Sequence, residues 1–383
     1  MSRVAVSRKV LDWALGRSGK TLEDLSLRLP KAPQWATGQS QPTLRQLESL
    51  AKLTLTPLGF FFLDEPPKEQ LPVPYFRTLG DQPLHRPSPD LLETIHLMQR
   101  RQAWMRDFLI EQGQEALPFV GAARRHEQPA SLAERMRHTL GIDESWAARE
   151  STWTDALDTL RDLMEHAGIL VAVSGIVGNN THRKLDPGEF RGVVLVDDYA
   201  PLVFVNGVDG KAAQMFTLAH ELAHVFLGSS AAFDLREMQP ANDPVEQACN
   251  KAAAEFLVPE QTMRQIWPSL RRDPQRFQSV ARKFKISQLV AARRALDLSL
   301  IEKNEFLAFY RDYLNNERRT TANRSEGGDF YKTQNLRLGH RFATAVVRAA
   351  KEGKLLYSEA YHLTGLYGET FSRYAVSLGI RGA

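Results

Sequence analysis

The stretch His220-Glu221-Leu222-Ala223-His224 sets two imidazoles and a carboxylate inside a mainly apolar run from Met215 to Phe226. On a helix, positions four apart share one face a single turn apart, so His220 and His224 can reach the same metal ion. Glu221, one step round, can address a water on that ion as general base. This is the pattern of a zinc hydrolase. Burying three such groups among Phe216, Leu222 and Phe226 is costly unless something pairs them, and a cation does so. The competing reading is a core helix whose histidines are satisfied by ordinary hydrogen bonds.

A catalytic zinc takes three protein ligands and keeps a fourth position for water. Asp234, Glu237, Glu246 and Glu255 all follow the motif closely, and spacing alone does not choose among them. Asp243-Pro244-Val245-Glu246 predicts the start of a helix running through Leu257. Asp243 is placed to cap it, Pro244 to be its first residue, and Glu246 comes three after the cap. Glu246 therefore has a rival use as the return arm of a capping box. Ala248, Ala252, Ala253 and Ala254 are small enough to let this helix pack closely on the metal helix.

Other elements must hold these two helices. The short β-branched runs Ile169–Val173, Gly192–Val196 and Pro201–Val205 predict strands, the last two forming a hairpin through Asp197-Asp198-Tyr199-Ala200 that leads into the metal helix. Helices are predicted from Asp90 to Gln112, from Ser131 with a Ser-x-x-Glu box, and from Thr152 to Ala167. The fold class is therefore α+β and mostly helical, with a small sheet ahead of the metal helix. A strand at the sheet edge offers an extended peptide a template for backbone pairing; a covered edge does not. An oxyanion-stabilising group is expected. Tyr199 and His182, on loops near the sheet, are guesses for it.

Phe216-Thr217-Leu218-Ala219 leading into His220–His224, followed by Glu246-x-x-Cys249-Asn250 and Phe256-Leu257-Val258-Pro259, resembles the ImmA/IrrE family of zinc metallopeptidases. Cys249 stands where that family usually has alanine, and Val258 where it has methionine. The resemblance implies a zincin-like core of the gluzincin type, a Zn2+ cofactor, Glu246 as third ligand beside His220 and His224, and Glu221 as the catalytic residue. It also implies a regulatory protein as substrate, repressor or antitoxin-like, in stress, mobile-element or toxin–antitoxin control. Cys249 reads as a small packing residue.

The flanks carry a different signal. Residues 1–63 predict a helical bundle, with Val10, Leu11, Ala14 and Leu15 at helical spacing, then a Thr21 cap completed by Asp24. Trp35-Ala36-Thr37-Gly38 and Pro42-Thr43-Leu44 follow. This order resembles the helix-turn-helix of the XRE (lambda-repressor-like) family, a fusion that recurs with ImmA/IrrE peptidases. The reading helix is about one turn short and contains Pro30 and Pro33, so DNA binding and protein contact both fit. Residues 64–89 predict a connector, since eight prolines fall between Pro57 and Pro89. Residues 90–270 then form the peptidase domain. Residues 271–314 are a helical segment with helix-turn-helix spacing and eight Lys or Arg from Arg271 to Arg294, suited either to DNA or to bracing the peptidase. Residues 315–328 predict a polar linker and 329–383 a C-terminal helical domain of two or three helices.

Composition bounds the rest. With 383 residues, 43% apolar and 25% charged, the chain predicts two or three soluble folded domains. Its longest apolar run, at Phe60–Leu63, is too short to span a bilayer, and its start lacks an apolar signal region. A single cysteine excludes an internal disulfide and a Cys-rich zinc site, and fits a reducing cytoplasm. A net charge of +4 permits a nucleic-acid partner without requiring one. The resulting expectation is a cytoplasmic zinc endopeptidase acting on a repressor or antitoxin-like protein, with DNA a further partner through residues 1–63. The alternative is a DNA-binding regulator whose peptidase fold senses or binds.

Overall fold

The structure is a computed structural model that describes residues 3–69, 75–77, 87–124, 126–234, 243–320 and 329–380. Two compact units divide it, one of Met1–Pro72 with Asp81–Ile95 and one of Val73–Gly80 with His96–Ala383.

The first unit holds α1 (Arg8–Ser18), α2 (Leu22–Ser26), α3 (Ala32–Ala36) and α4 (Leu44–Leu53), then a 3-10 turn at Leu58–Phe62. Thr21 and Thr43 each close a capping box, with Asp24 and Gln46 as return arms. Val10, Leu11, Leu25, Trp35, Leu47, Leu50 and Phe61 make one core. The order is that expected of the bundle. Helix α3 is only five residues long and starts at Pro33's own turn, with Trp35 and Ala36 buried. Pro33 and Gln34 are its exposed side chains.

The second unit opens with β1 (Tyr75–Arg77), and α5 (Pro89–Glu111) enters it from His96 onward. Then come α6 (Pro129–Leu140), α7 (Trp153–His166), β2 (Leu170–Ser174), β3 (Gly192–Leu195), β4 (Leu202–Asn206), α8 (Lys211–Leu227), β5 (Ala231–Asp234) and α9 (Pro244–Leu257). The helices α10 (Glu260–Leu270), α11 (Arg276–Phe284), α12 (Gln288–Asp297) and α13 (Lys303–Thr320) follow. The chain finishes with α14 (Phe330–Leu338), α15 (His340–Lys351), α16 (Tyr357–Thr364) and α17 (Gly368–Ser377). The strands form one sheet in the order β1-β5-β3-β4-β2. β3 and β4 are the predicted antiparallel hairpin, with Val193 opposite Phe204 and Leu195 opposite Leu202. β2 runs parallel to β4 on its other side.

Every residue of α8 from Gln214 to Phe226 is buried. A helix apolar all round must be covered on every side, and here α9, α7, α6 and the sheet share that task. Of the small residues of α9, Ala252 and Ala253 are 0% exposed, while Ala248 and Ala254 are half-buried, so two of the four lie in close contact with a neighbour. The chain leaves α8 through Gly228, whose φ of +68° is open to glycine at little cost.

Several expectations need correction. The helix predicted to open at Ser131 starts two residues earlier, at Pro129, and has no capping box; the Ser131 hydroxyl donates to Glu127 instead. Helix α13 runs on to Thr320, into the stretch expected to be linker, of which 321–328 lie outside the described residues. The tail has four helices where two or three were expected. Strands β1 and β5 and helix α10 were not foreseen.

Candidate metal centre

Helix α8 carries His220, Glu221 and His224 in one turn, as the spacing requires. Helix α9 brings Glu246 against them from its first turn. Asp243 accepts from the backbone N–H groups of Val245 (2.7 Å) and Glu246 (3.2 Å), and Pro244 occupies the first helical position. The cap is therefore made by Asp243 alone. The Glu246 carboxylate turns inward, so its rival use as the return arm of a capping box is not the one seen.

Its two oxygens meet the two histidines. His220 Nε2 lies 3.2 Å from Glu246 Oε2, His224 Nε2 lies 3.0 Å from Glu246 Oε1, and the two Nε2 atoms are 3.1 Å apart. Ligands about 2.0–2.1 Å from a tetrahedral zinc stand about 3.3 Å from one another. Three lone-pair donors at these separations thus outline one face of such a tetrahedron. These three form the group among the described residues whose ligand atoms converge closely enough to hold a metal ion. Each is essentially inaccessible to water, and a convergence of buried acceptors calls for a cation to offset its desolvation. The donor set of two imidazoles and a carboxylate is one that zinc takes in hydrolases.

Electrostatics fit that reading. Burial pushes the Glu221 carboxyl well above the ordinary carboxylate range, and the neighbouring Glu246 charge adds to the rise. Burial also lowers His220, favouring the neutral imidazole that a metal needs. Glu246 is desolvated too, but hydrogen bonds and charge from the two histidines outweigh this and bring it down to about 2. Burial raises the Cys249 thiol far above its usual value, as befits a packing residue.

Neither oxygen of Glu221 has a hydrogen-bond partner among the described residues. A buried carboxylate without partners is expensive in a purely structural role and is characteristic of a functional one. Strand β3 crosses directly over it. A Cβ on Gly192 would collide with Glu221 Oε1 and stand 2.6 Å from Thr217 Cγ2, so only glycine lets the strand pass this close.

The other carboxylates separate cleanly. Glu255 accepts from Arg294 and, at 3.1 Å, from the Glu260 backbone N–H, while Arg294 Nε also donates to the Val258 carbonyl at 3.0 Å. Glu255 is thus occupied in fixing the end of α9. Asp234 closes β5, and Glu237 lies outside the described residues. His182 is exposed on a loop and Tyr199 sits in the hairpin turn; no contact among the described residues joins either to the triad. Two neighbours were not anticipated. One is Gly192, whose strand position carried no signal of a carboxylate beneath it. The other is Asn250, whose side chain raises the proton affinity of His220 against the larger effect of burial. Asn250 could have been found from its place one turn after Glu246 on the same helix face.

Residues 164–296 match the family model of the IrrE N-terminal-like domain, Peptidase M78. The match supports a peptidase of the ImmA/IrrE type. It begins in the last turn of α7 and ends in α12, so it contains the sheet strands β2 to β5, the three converging side chains and Glu221. Residues 338–377 match a second family, described as a domain of unknown function, which takes in α15 to α17. No curated protein matches the chain. Among the described residues, no helix is long and apolar enough to cross a membrane.

Proposed function

We propose that this protein is a zinc-dependent endopeptidase of the ImmA/IrrE type, acting on a repressor or antitoxin-like regulatory protein. The observation that carries it is the mutual approach of His220, His224 and Glu246 to about 3 Å beside an unpartnered Glu221. His220, His224 and Glu246 are the residues that would hold the metal. A zinc ion bound there supplies a Lewis acid and a water of lowered pKa.

The chain's own residues do the rest. Glu221 takes the proton of the attacking water as general base and passes it to the nitrogen of the leaving amine as general acid. Its freedom from hydrogen bonds leaves both oxygens available for these duties. Gly192 holds the β3 backbone against Glu221 and keeps other side chains away from it.

The test uses Glu221→Gln both as trap and as control. That variant should keep the metal, retain a bound protein substrate from a pull-down, and leave it uncut. Wild-type protein should then cut the same substrate. Equal cleavage by both forms would rule the mechanism out.

A further inference from the structure

All four groups of the candidate site are closed off: His220, Glu221 and His224 are 0% exposed and Glu246 is 1% exposed. No peptide bond can meet Glu221 in this arrangement, so something moves when a substrate enters. The sheet shows what is in the way. β3 comes closest to Glu221 at Gly192, and on the side away from β4 its backbone is already paired. The partner there is β5, antiparallel, with Gly192 opposite Phe233, Val193 opposite Ala232 and Val194 opposite Ala231. An extended peptide adding to that edge makes the same kind of ladder.

β5 separates from β3 more readily than the other strands do from one another. It matches β3 over three residue pairs, whereas β4 matches β3 over four and β2 over five. Its other side carries the three-residue β1, so the two short strands leave together. It follows α8 directly, after the left-handed turn at Gly228. The Ser230 hydroxyl accepts from the Val196 backbone N–H at 2.8 Å, which fixes the start of the strand near the end of β3.

We propose that β5 is the chain's own occupant of the substrate edge, holding on β3 the backbone pairing that an extended substrate peptide takes once β5 has moved out. Ser230 is the fixed end about which the strand swings. The resting protein is therefore self-occluded, and the partner that opens it is the substrate peptide itself. The proposal rests on the peptidase reading for the identity of that peptide, but not for the occlusion.

The test locks and unlocks the strand. Opposite residues of an antiparallel pair have Cα atoms about 4.5–5.5 Å apart, within disulfide range, so Val193→Cys with Ala232→Cys joins β5 to β3. Phe233→Pro does the reverse by removing the backbone donor opposite Gly192, where β3 bonds toward β5. Each zinc-loaded form is assayed for zinc transfer to the chelator pyridylazoresorcinol and for cleavage of β-casein as an unfolded polypeptide. Oxidation of the double variant should slow both by at least about tenfold, a thiol-free reductant should restore both, and Phe233→Pro should speed both. Zinc transfer that is equal in the oxidised and reduced forms, and unchanged by Phe233→Pro, overturns the proposal. Strand-dependent zinc transfer without casein cleavage by any form supports the occlusion and counts against the peptidase reading.

Discussion

At the scale of single residues, position and burial divide the acidic side chains into distinct roles. Glu246 and Glu255 lie on the same helix, are both buried, and both face cationic or ligand-type groups. One meets two histidines and the other an arginine, and that difference sets their mutational signatures. Glu255→Ala leaves the Arg294 guanidinium buried without its counter-charge and should cost about 3–5 kcal/mol of stability, read from urea unfolding. Glu246→Ala should instead abolish metal binding. Gly192 gives a third signature. Gly192→Ala places a methyl group on the Glu221 carboxylate and against Thr217, so cleavage should fall at least about tenfold while unfolding loses only about 1–3 kcal/mol. Unchanged turnover in that variant would mean that β3 does not position Glu221.

At the scale of elements, much of the site was legible because its two helices announce themselves. The i and i+4 histidines, the Asp-Pro opening of α9 and its run of alanines each follow from helix geometry alone. The hairpin of β3 and β4 was legible from β-branched runs around a turn. β5 was not, because Ala231-Ala232-Phe233-Asp234 is short and carries weak strand propensity; its pairing is imposed by β3. α10 was hidden by Pro268, which sits inside the helix. The junction of α7 with α15 also required the fold. There, burial raises Glu165 to about 7 against an ordinary 4.5, with Arg161 and the backbone N–H groups of His340 and Arg341 only partly offsetting it. The native state thus holds this proton more tightly than the unfolded chain. Its contribution is fully present below about pH 4.5 and is lost as pH rises through 7, a difference of about 3 kcal/mol at most. Thermal stability should therefore decline from pH 5 to pH 8, and Glu165→Gln should flatten that decline. An identical pH profile for the variant would assign the effect elsewhere.

At the scale of the whole molecule, the helix-turn-helix spacings that hint at DNA contact resolve differently from one another. In α11 and α12 the turn is a left-handed Lys285, which packs over Trp153 and donates to the Arg282 carbonyl. Arg276 pairs with Glu305, Arg293 with Asp297 and Arg294 with Glu255. Half of the eight basic residues noted in the sequence are thus engaged within the fold, which favours bracing. Arg282→Ala with Lys283→Ala should then leave gel-shift affinity and its salt dependence unchanged; a slope reduced by about two would place this helix pair on phosphates instead. Charge counting in the sequence did not distinguish these outcomes, because it cannot show which cations have partners. The N-terminal helices keep the expected order, and the stretch between α2 and α4 holds only α3, five residues long. The central claim remains the metal triad with its base, and zinc content per chain tests it most directly. Mass spectrometry of the purified proteins should find about one zinc per chain in wild type, Glu221→Gln and Glu255→Gln, and almost none in His220→Ala and Glu246→Ala. Full zinc in Glu246→Ala, or its loss in Glu255→Gln, would contradict the account.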